Sequence, residues 1–214
     1  MRWPVAPSKR ADPSAPEMPR SARRLTLSPI GFDIVLALGQ APDGLRLADL
    51  AHVIGSPVSS VQTALRILVA NEIVRREAVE PPRYRVSPDH PARDELVSLA
   101  TVLPDASHAI AITLRANPLV VWAAVDSLGF LASERDADAL PAAAELLDRH
   151  LGMIAAARPD APQVIRMSET ELNRLVKVAV GLAARARKAL TIKGRAPVLQ
   201  RVTGADERAR RAAG

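Results

Sequence analysis

Between Ser59 and Arg66 the chain sets out side chains suited to nucleic acid: Ser59, Ser60, Gln62, Thr63 and Arg66, with Ser56 just ahead of them. A glutamine amide can pair with an adenine edge, an arginine with guanine or phosphate, and hydroxyls with either bases or phosphate oxygens. A second basic group, Arg75, Arg76, Arg83 and Arg85, follows closely. Chemistry of other kinds is harder to assemble. The four histidines, His52, His90, His108 and His150, have no helical metal-ligand spacing. There is no cysteine, so thiolate metal sites, disulfides and cysteine nucleophiles are excluded. No serine lies in a nucleophile-elbow motif, and no glycine-rich phosphate loop occurs. We therefore expect no catalytic residue, no metal and no cofactor.

The elements that must position these side chains can be read from hydrophobic period. Leu47, Leu50, Ala51 and Ile54 make one helical stripe, and Val58, Val61, Leu65, Leu68 and Val69 make another. Gly55 suits a left-handed helix end. Ser56 is expected as the N-cap of the second helix, with Pro57 at its first position. A short helix, a turn and a longer helix with a polar outer face form a helix-turn-helix. Residues 29–40 supply a preceding apolar helix, closed by the Gly- and Pro-containing run at 39–44. Residues 72–79 and 84–86 are strand-like and separated by Pro81-Pro82, which predicts a hairpin wing. Alternation sends Arg75 and Arg76 to opposite faces. Arg83 is expected at the wing tip, where a minor-groove or backbone contact would be made. A further helix is predicted over 91–103, with Asp94 and Glu95 in its first turn.

The segments LADLAHVIG, SPVSSVQTALRILVANEIVRRE and YRVSPDHP resemble the winged helix-turn-helix domains of bacterial transcriptional regulators of the MarR and ArsR type. The resemblance covers residues 29–103. It implies that Ser56, Ser59, Ser60, Gln62, Thr63 and Arg66 face the major groove of double-stranded DNA, with Arg75, Arg76, Arg83 and Arg85 on the wing. It also implies a homodimer. Arg66 is the one basic residue on the recognition helix, so the wing and the basic ends would have to add phosphate contacts.

Residues 104–190 read as an α-rich domain for dimerisation or sensing. Residues 106–117 are ambiguous between helix and strand. Residues 119–132 favour a hairpin turning at Asp126-Ser127-Leu128-Gly129. A helix is expected from Leu140-Pro141 to 157, a short strand at 163–167, and one long helix from a Ser168/Glu171 capping box to Leu190. Asp136 and Asp138, two residues apart after the hairpin, faintly resemble the carboxylate pair of nucleotidyltransferase-like domains. The Gly-Ser pair of such domains is absent here, so that resemblance implies a degenerate, non-catalytic relative. The bland alternative is a solvated turn.

Composition sets the bounds. The 214 residues are 48% hydrophobic but only 2% aromatic, so the core must be built from Ala, Val, Leu and Ile. The net charge is +6 and unevenly placed. Residues 1–28 hold six Lys and Arg against two acids, and residues 167–214 hold eleven against four. Residues 29–103 hold seven against nine, so the helix-turn-helix segment is slightly acidic. The Pro-rich stretch 1–28 is expected as a disordered basic arm, and 191–214 as a basic tail. No apolar run reaches the roughly 18 residues of a membrane span, and no signal core opens the chain. We expect a soluble cytoplasmic protein that does not engage membranes. The fold expected is mainly α with small β: an N-terminal winged helix-turn-helix, then a smaller α or α+β domain, then a long C-terminal helix. The function expected is DNA-binding transcriptional regulation. The alternative is an antitoxin-like module whose winged helix binds a protein partner.

Overall fold

A computed structural model describes residues 27–194 of the chain. The expected arm 1–28 therefore lies outside the described residues except for Leu27 and Ser28, and the expected tail 191–214 except for 191–194. Helix α1 (Pro29–Gly39) starts where Ser28 accepts a hydrogen bond from the Gly31 amide at 3.2 Å, with Pro29 at the first position. It is apolar nearly all round, and Ile34, Val35, Leu36 and Ala37 are fully buried. A helix of that kind belongs at the centre of a fold. It packs against α2 (Leu47–Ile54), α3 (Val58–Ala70), α4 (Arg93–Val102) and α5 (Ala106–Ala116). Strand β1 (Leu45–Arg46) precedes α2, and β2 (Val74–Glu77) and β3 (Arg83–Val86) follow α3. These three strands form an antiparallel sheet in the order β1-β3-β2. The winged helix-turn-helix expected from the sequence is present, with β1 as an added strand too short to show a period of its own.

Beyond α5 lie β4 (Val120–Asp126), β5 (Gly129–Glu134), α6 (Pro141–Ala157), β6 (Val164–Ser168), α7 (Glu169–Val178), α8 (Val180–Lys188) and β7 (Leu190–Lys193). The ambiguous segment 106–117 is helical, and its first turn is capped by Asp105, which accepts from the His108 amide at 3.2 Å. The four strands form one mixed sheet in the order β6-β5-β4-β7, with β5 and β6 parallel. Phe130 and Ala132 face the core shared with α5 and α6. Trp122, Leu131 and Met167 face Leu172 of α7 and Ala186 of α8. The C-terminal half is thus a three-layer helix-sheet-helix unit. That is more β-structure than an α-rich domain, because the four-residue edge strand β7 carries no apolar alternation of its own and is fixed by pairing with β4.

Two expectations about the C-terminal end are corrected. The single long helix to Leu190 is broken at Ala179, whose backbone is extended (φ −101°, ψ 91°). A straight helix of about 20 residues would run about 30 Å and overshoot a seven-residue strand of about 23 Å. Val176, Val178, Val180 and Gly181 mark the weak point, since β-branched residues and glycine disfavour helix. Leu190, expected to end the helix, and residues 191–193, expected to start the tail, instead form β7 on the β4 edge. Thr191 and Ile192 suit a strand, but the pairing partner is some 65 residues earlier in the chain, at the order of separation that only tertiary contact resolves. Nor does packing divide at residue 103, because α4 and α5 both lie on α1 within one continuous core.

A buried polar chain joins the two halves. Asn117 Nδ2 donates to Gln40 Oε1 at 3.1 Å and to the Ala143 carbonyl at 2.8 Å. Lys193 Nζ donates to the Asn117 carbonyl at 2.6 Å. Burial, reinforced by the nearby Arg135 cation, lowers the Lys193 ammonium from 10.5 to about 8. Between those values the unfolded chain holds a proton that the folded chain has released. Stability therefore rises with pH across that window, and below it the full cost of a buried charge is present. Urea unfolding at about pH 7.5 and about pH 10 should show this rise in the parent protein and lose it in Lys193→Met. An equal rise in the variant would remove Lys193 as its cause.

Candidate nucleic-acid interface

The turn between α2 and α3 bends the chain by 112°, within the range of a helix-turn-helix. Gly55 sits in the left-handed region at φ 73° and its amide bonds the Ala51 carbonyl, closing α2. The N-cap of α3 is Pro57, not Ser56: its carbonyl takes the first helical bonds from Ser60 and Val61, and α3 begins at Val58. Proline tolerates this because its φ of −56° is its own fixed value and its ψ of 140° is free to be extended. Ser56 is therefore one residue further out, half-buried in the turn.

On α3, Val61, Ala64, Leu65 and Leu68 face the core. Ser59, Gln62, Thr63 and Arg66 are exposed and fall at three- and four-residue spacing along one outer stripe. Ser60 is half-buried at its flank. The Thr63 hydroxyl donates to the Ser59 carbonyl at 2.9 Å, so towards a ligand it offers an acceptor oxygen and a methyl group. Two apolar residues flank the stripe: Val58, placed by its spacing in the buried set, is 49% exposed, and Ile67 is 52% exposed. Val58 is exposed because the helix starts there and has no preceding turn beneath it.

The wing register sorts the arginines. Val74 pairs with Val86, Arg75 with Arg85, Arg76 with Tyr84, and Glu77 with Arg83. Directly opposite residues share a face, so Arg75, Glu77, Arg83 and Arg85 lie on one side of the sheet. Arg76 lies on the other, with Tyr84 and the buried valines. Arg46, which has no periodic signal in its two-residue strand, pairs with Arg83 and joins the arginine face. Glu77 binds Arg85 at 2.9 Å, and Asp89 approaches Arg75 at 3.9 Å. Arg83 is not at the tip, as expected, but in the central strand, where its Nη1 donates to the Asp43 carbonyl at 3.2 Å. The tip itself is 78–82, carrying the exposed Val79 and Glu80. Counting from the proline pair misplaced Arg83 because the β2–β3 ladder extends one pair further than the apolar pattern indicates.

The residues considered for other chemistry have structural surroundings. Asp136 and Asp138 are not on a strand. Asp136 caps a short 3-10 turn (Ala137–Ala139), its carboxylate accepting from the Asp138 amide at 3.1 Å, and both are exposed. His108 pairs with Asp33 at 2.9 Å, joining α5 to α1. His150 is buried, its Nδ1 donating to the Leu146 carbonyl, and burial lowers its pKa below the usual histidine value. His90 Nδ1 accepts from the Ala92 amide, and His52 is exposed. Among the described residues no three His, Asp or Glu side chains are grouped as a metal site. No single helix among them is long and apolar enough to cross a membrane.

Comparison with known proteins bears on the same segment. No curated protein and no solved structure matches the chain. Residues 30–78, from α1 through β2, match the family profile described as the IclR helix-turn-helix domain. The matched stretch contains the whole α3 stripe and ends inside the wing. Over that segment the chain is similar to helix-turn-helix domains of the IclR type, which supports a DNA-binding helix-turn-helix there.

Proposed function

We propose that this protein is a cytoplasmic transcriptional regulator that binds double-stranded DNA as a homodimer through α3, and that it is not an enzyme. The observation that carries this is the exposed Ser59–Gln62–Thr63–Arg66 stripe on the second helix of a 112° helix-turn-helix. Gln62 has the bidentate amide that suits adenine, and Arg66 suits guanine or phosphate. Thr63, with its proton committed to Ser59, suits an amino group or a thymine methyl. Each copy brings one cation on α3, so two copies on paired half-sites, with the arginine face of the wing and the basic chain ends on phosphates, supply the remaining affinity. A helix-turn-helix followed by a hairpin wing is what the likeness to MarR- and ArsR-type regulators implies. The IclR-type match supports the broader helix-turn-helix class.

Fluorescence anisotropy on genomic fragments at two salt concentrations, with residues 1–26 and 195–214 present and then removed, tests it. Arg66→Ala should lower affinity and reduce the salt slope by about 0.9 for each phosphate that the arginine neutralised. Gln62→Ala should cost about 1–3 kcal/mol of discrimination at one base pair with the slope unchanged. Salt-independent binding, or unaltered sequence preference in both variants, would contradict the proposal. A second reading, an antitoxin-like protein-binding module with a degenerate nucleotidyltransferase-like C-terminal half, is favoured by the exposed Val58 and Ile67 beside the stripe and by the acidic balance of residues 29–103. A partner retained on the protein at high salt and released by Ile67→Glu would support it.

A further inference from the structure

Strand β7 is tied to the helix-turn-helix by two polar relays that leave it at consecutive residues. At Ile192 the carbonyl accepts from Arg115 Nε at 3.2 Å, and Nη1 of the same guanidinium donates to the Val53 carbonyl at 3.2 Å. At Lys193 the ammonium reaches Asn117, which in turn holds Gln40, the C-cap residue of α1. The first relay ends at the more consequential place. Val53 is in the last turn of α2, where carbonyls lack partners within the helix. The residue four further on, which would normally donate to it, is Pro57 and has no N–H. The amides of Gly55 and Ser56 both go to the Ala51 carbonyl instead. Arg115, reaching across from α5, supplies the missing donor and places a cation at the negative end of the α2 dipole. A Cβ on Gly55 would stand 4.0 Å from the same guanidinium, so Arg115 lies directly against the turn that sets the angle of α3.

We infer that Arg115 is a positioning residue for the recognition helix: it clamps the α2–α3 turn to strand β7, so that docking of β7 on the sheet edge holds α3 at its reading angle. The consequence for DNA rests on the DNA-binding function proposed above, whereas the clamp itself does not.

Two substitutions test it in the full-length protein. Arg115→Met removes both donors at similar length. Arg115→Lys keeps the charge but has no planar fork with which to bridge two carbonyls. Amide hydrogen exchange at Gly55 and Ser56 should be about tenfold faster in the Met variant, while amides of α7 and the β4–β5 hairpin in the same sample keep their rates. The Lys variant should fall between. On a duplex selected from a randomised pool with the parent protein, affinity should drop about tenfold with the salt slope unchanged, whereas one phosphate fewer neutralised would lower the slope by about 0.9. Parent-like exchange at the turn in either folded variant overturns the clamp. A slope reduced by about one overturns the positioning role and makes Arg115 a phosphate-binding residue. Absence of duplex binding by the parent protein overturns the DNA-binding function, and the exchange rates then still decide the clamp. If the Met variant does not fold, Arg115→Gln, which removes the charge and keeps a short amide donor, carries both comparisons.

Discussion

Gly129→Ala should destabilise the protein by about 3 kcal/mol or more, a large fraction of the about 5–15 kcal/mol that holds an ordinary domain folded. Gly129 opens β5 at φ +125°, a conformation that L side chains rarely adopt. Its backbone also lies so close to the start of β6 that an added Cβ would run into the Gln163 carbonyl oxygen. That carbonyl cannot move away freely, because it accepts from the Phe130 amide at 2.8 Å at the start of the parallel β5–β6 ladder. Strain and collision therefore add. Gly152→Ala is the matched control. Gly152 is exposed within α6, and a Cβ there would meet no heavy atom within 4 Å. Relief of glycine's helix penalty should stabilise by about 0.5–1 kcal/mol. Urea unfolding followed by circular dichroism gives both values, and a Gly129→Ala midpoint within error of the parent would refute the close approach of β5 and β6.

Arg166→Met is expected to be the most damaging change among the surface-reaching ion pairs, at about 2–4 kcal/mol. Arg166 on β6 bonds Glu134 on β5 through two nitrogens and Asp148 on α6 through a third, pinning an edge strand to both its neighbour and the helix above it. Glu134 suffers most from the change: its side chain is only 12% accessible, so removing the guanidinium leaves a carboxylate that water can scarcely reach. The same bonds hold the Arg166 pKa above its ordinary value, with the Glu134 hydrogen bond as the main cause. Asp148 is 64% accessible, and Asp148→Asn should cost less than about 1 kcal/mol because solvent already screens it. Replacing Glu134 by Gln in the Arg166→Met background should recover part of the stability, since the residue left behind is then neutral. Equal costs for Arg166→Met and Asp148→Asn would show that the Glu134 side chain is better solvated than its surroundings indicate.

These two expectations concern the unit that the helix-turn-helix leans on. Helix α1 is shared by both halves, Arg115 and Lys193 bridge them, and β7 closes the sheet beside α5. Loosening the β5–β6 ladder is thus expected to reach the reading helix through α5, α6 and α1, which share one core with it, and a variant that loses DNA binding while retaining helical signal is the natural place to look for it.

The sequence by itself determined what depends on neighbours a few residues apart. The apolar stripes of α1, α2 and α3, the left-handed Gly55, the Asp126–Gly129 hairpin turn and the Ser168 cap all act over one to four residues, where side-chain type dictates backbone directly. The outer stripe of Ser59, Gln62, Thr63 and Arg66 was legible for the same reason, since a buried face fixes its opposite. Tertiary structure decided what depends on pairing at a distance. Arg46 joins the arginine face only because β1 meets β3, and Arg83 leaves the tip only because the ladder register places it beside Glu77. β7 is a strand because the β4 edge is there to receive it. Helix 169–188 breaks at Ala179, where the two pieces diverge so that α7 packs on β5 and β6 and α8 on β4. Arg115 serves the turn because Pro57 withholds a donor and α5 stands within reach, a need visible in the sequence whose answer lies 58 residues further along the chain.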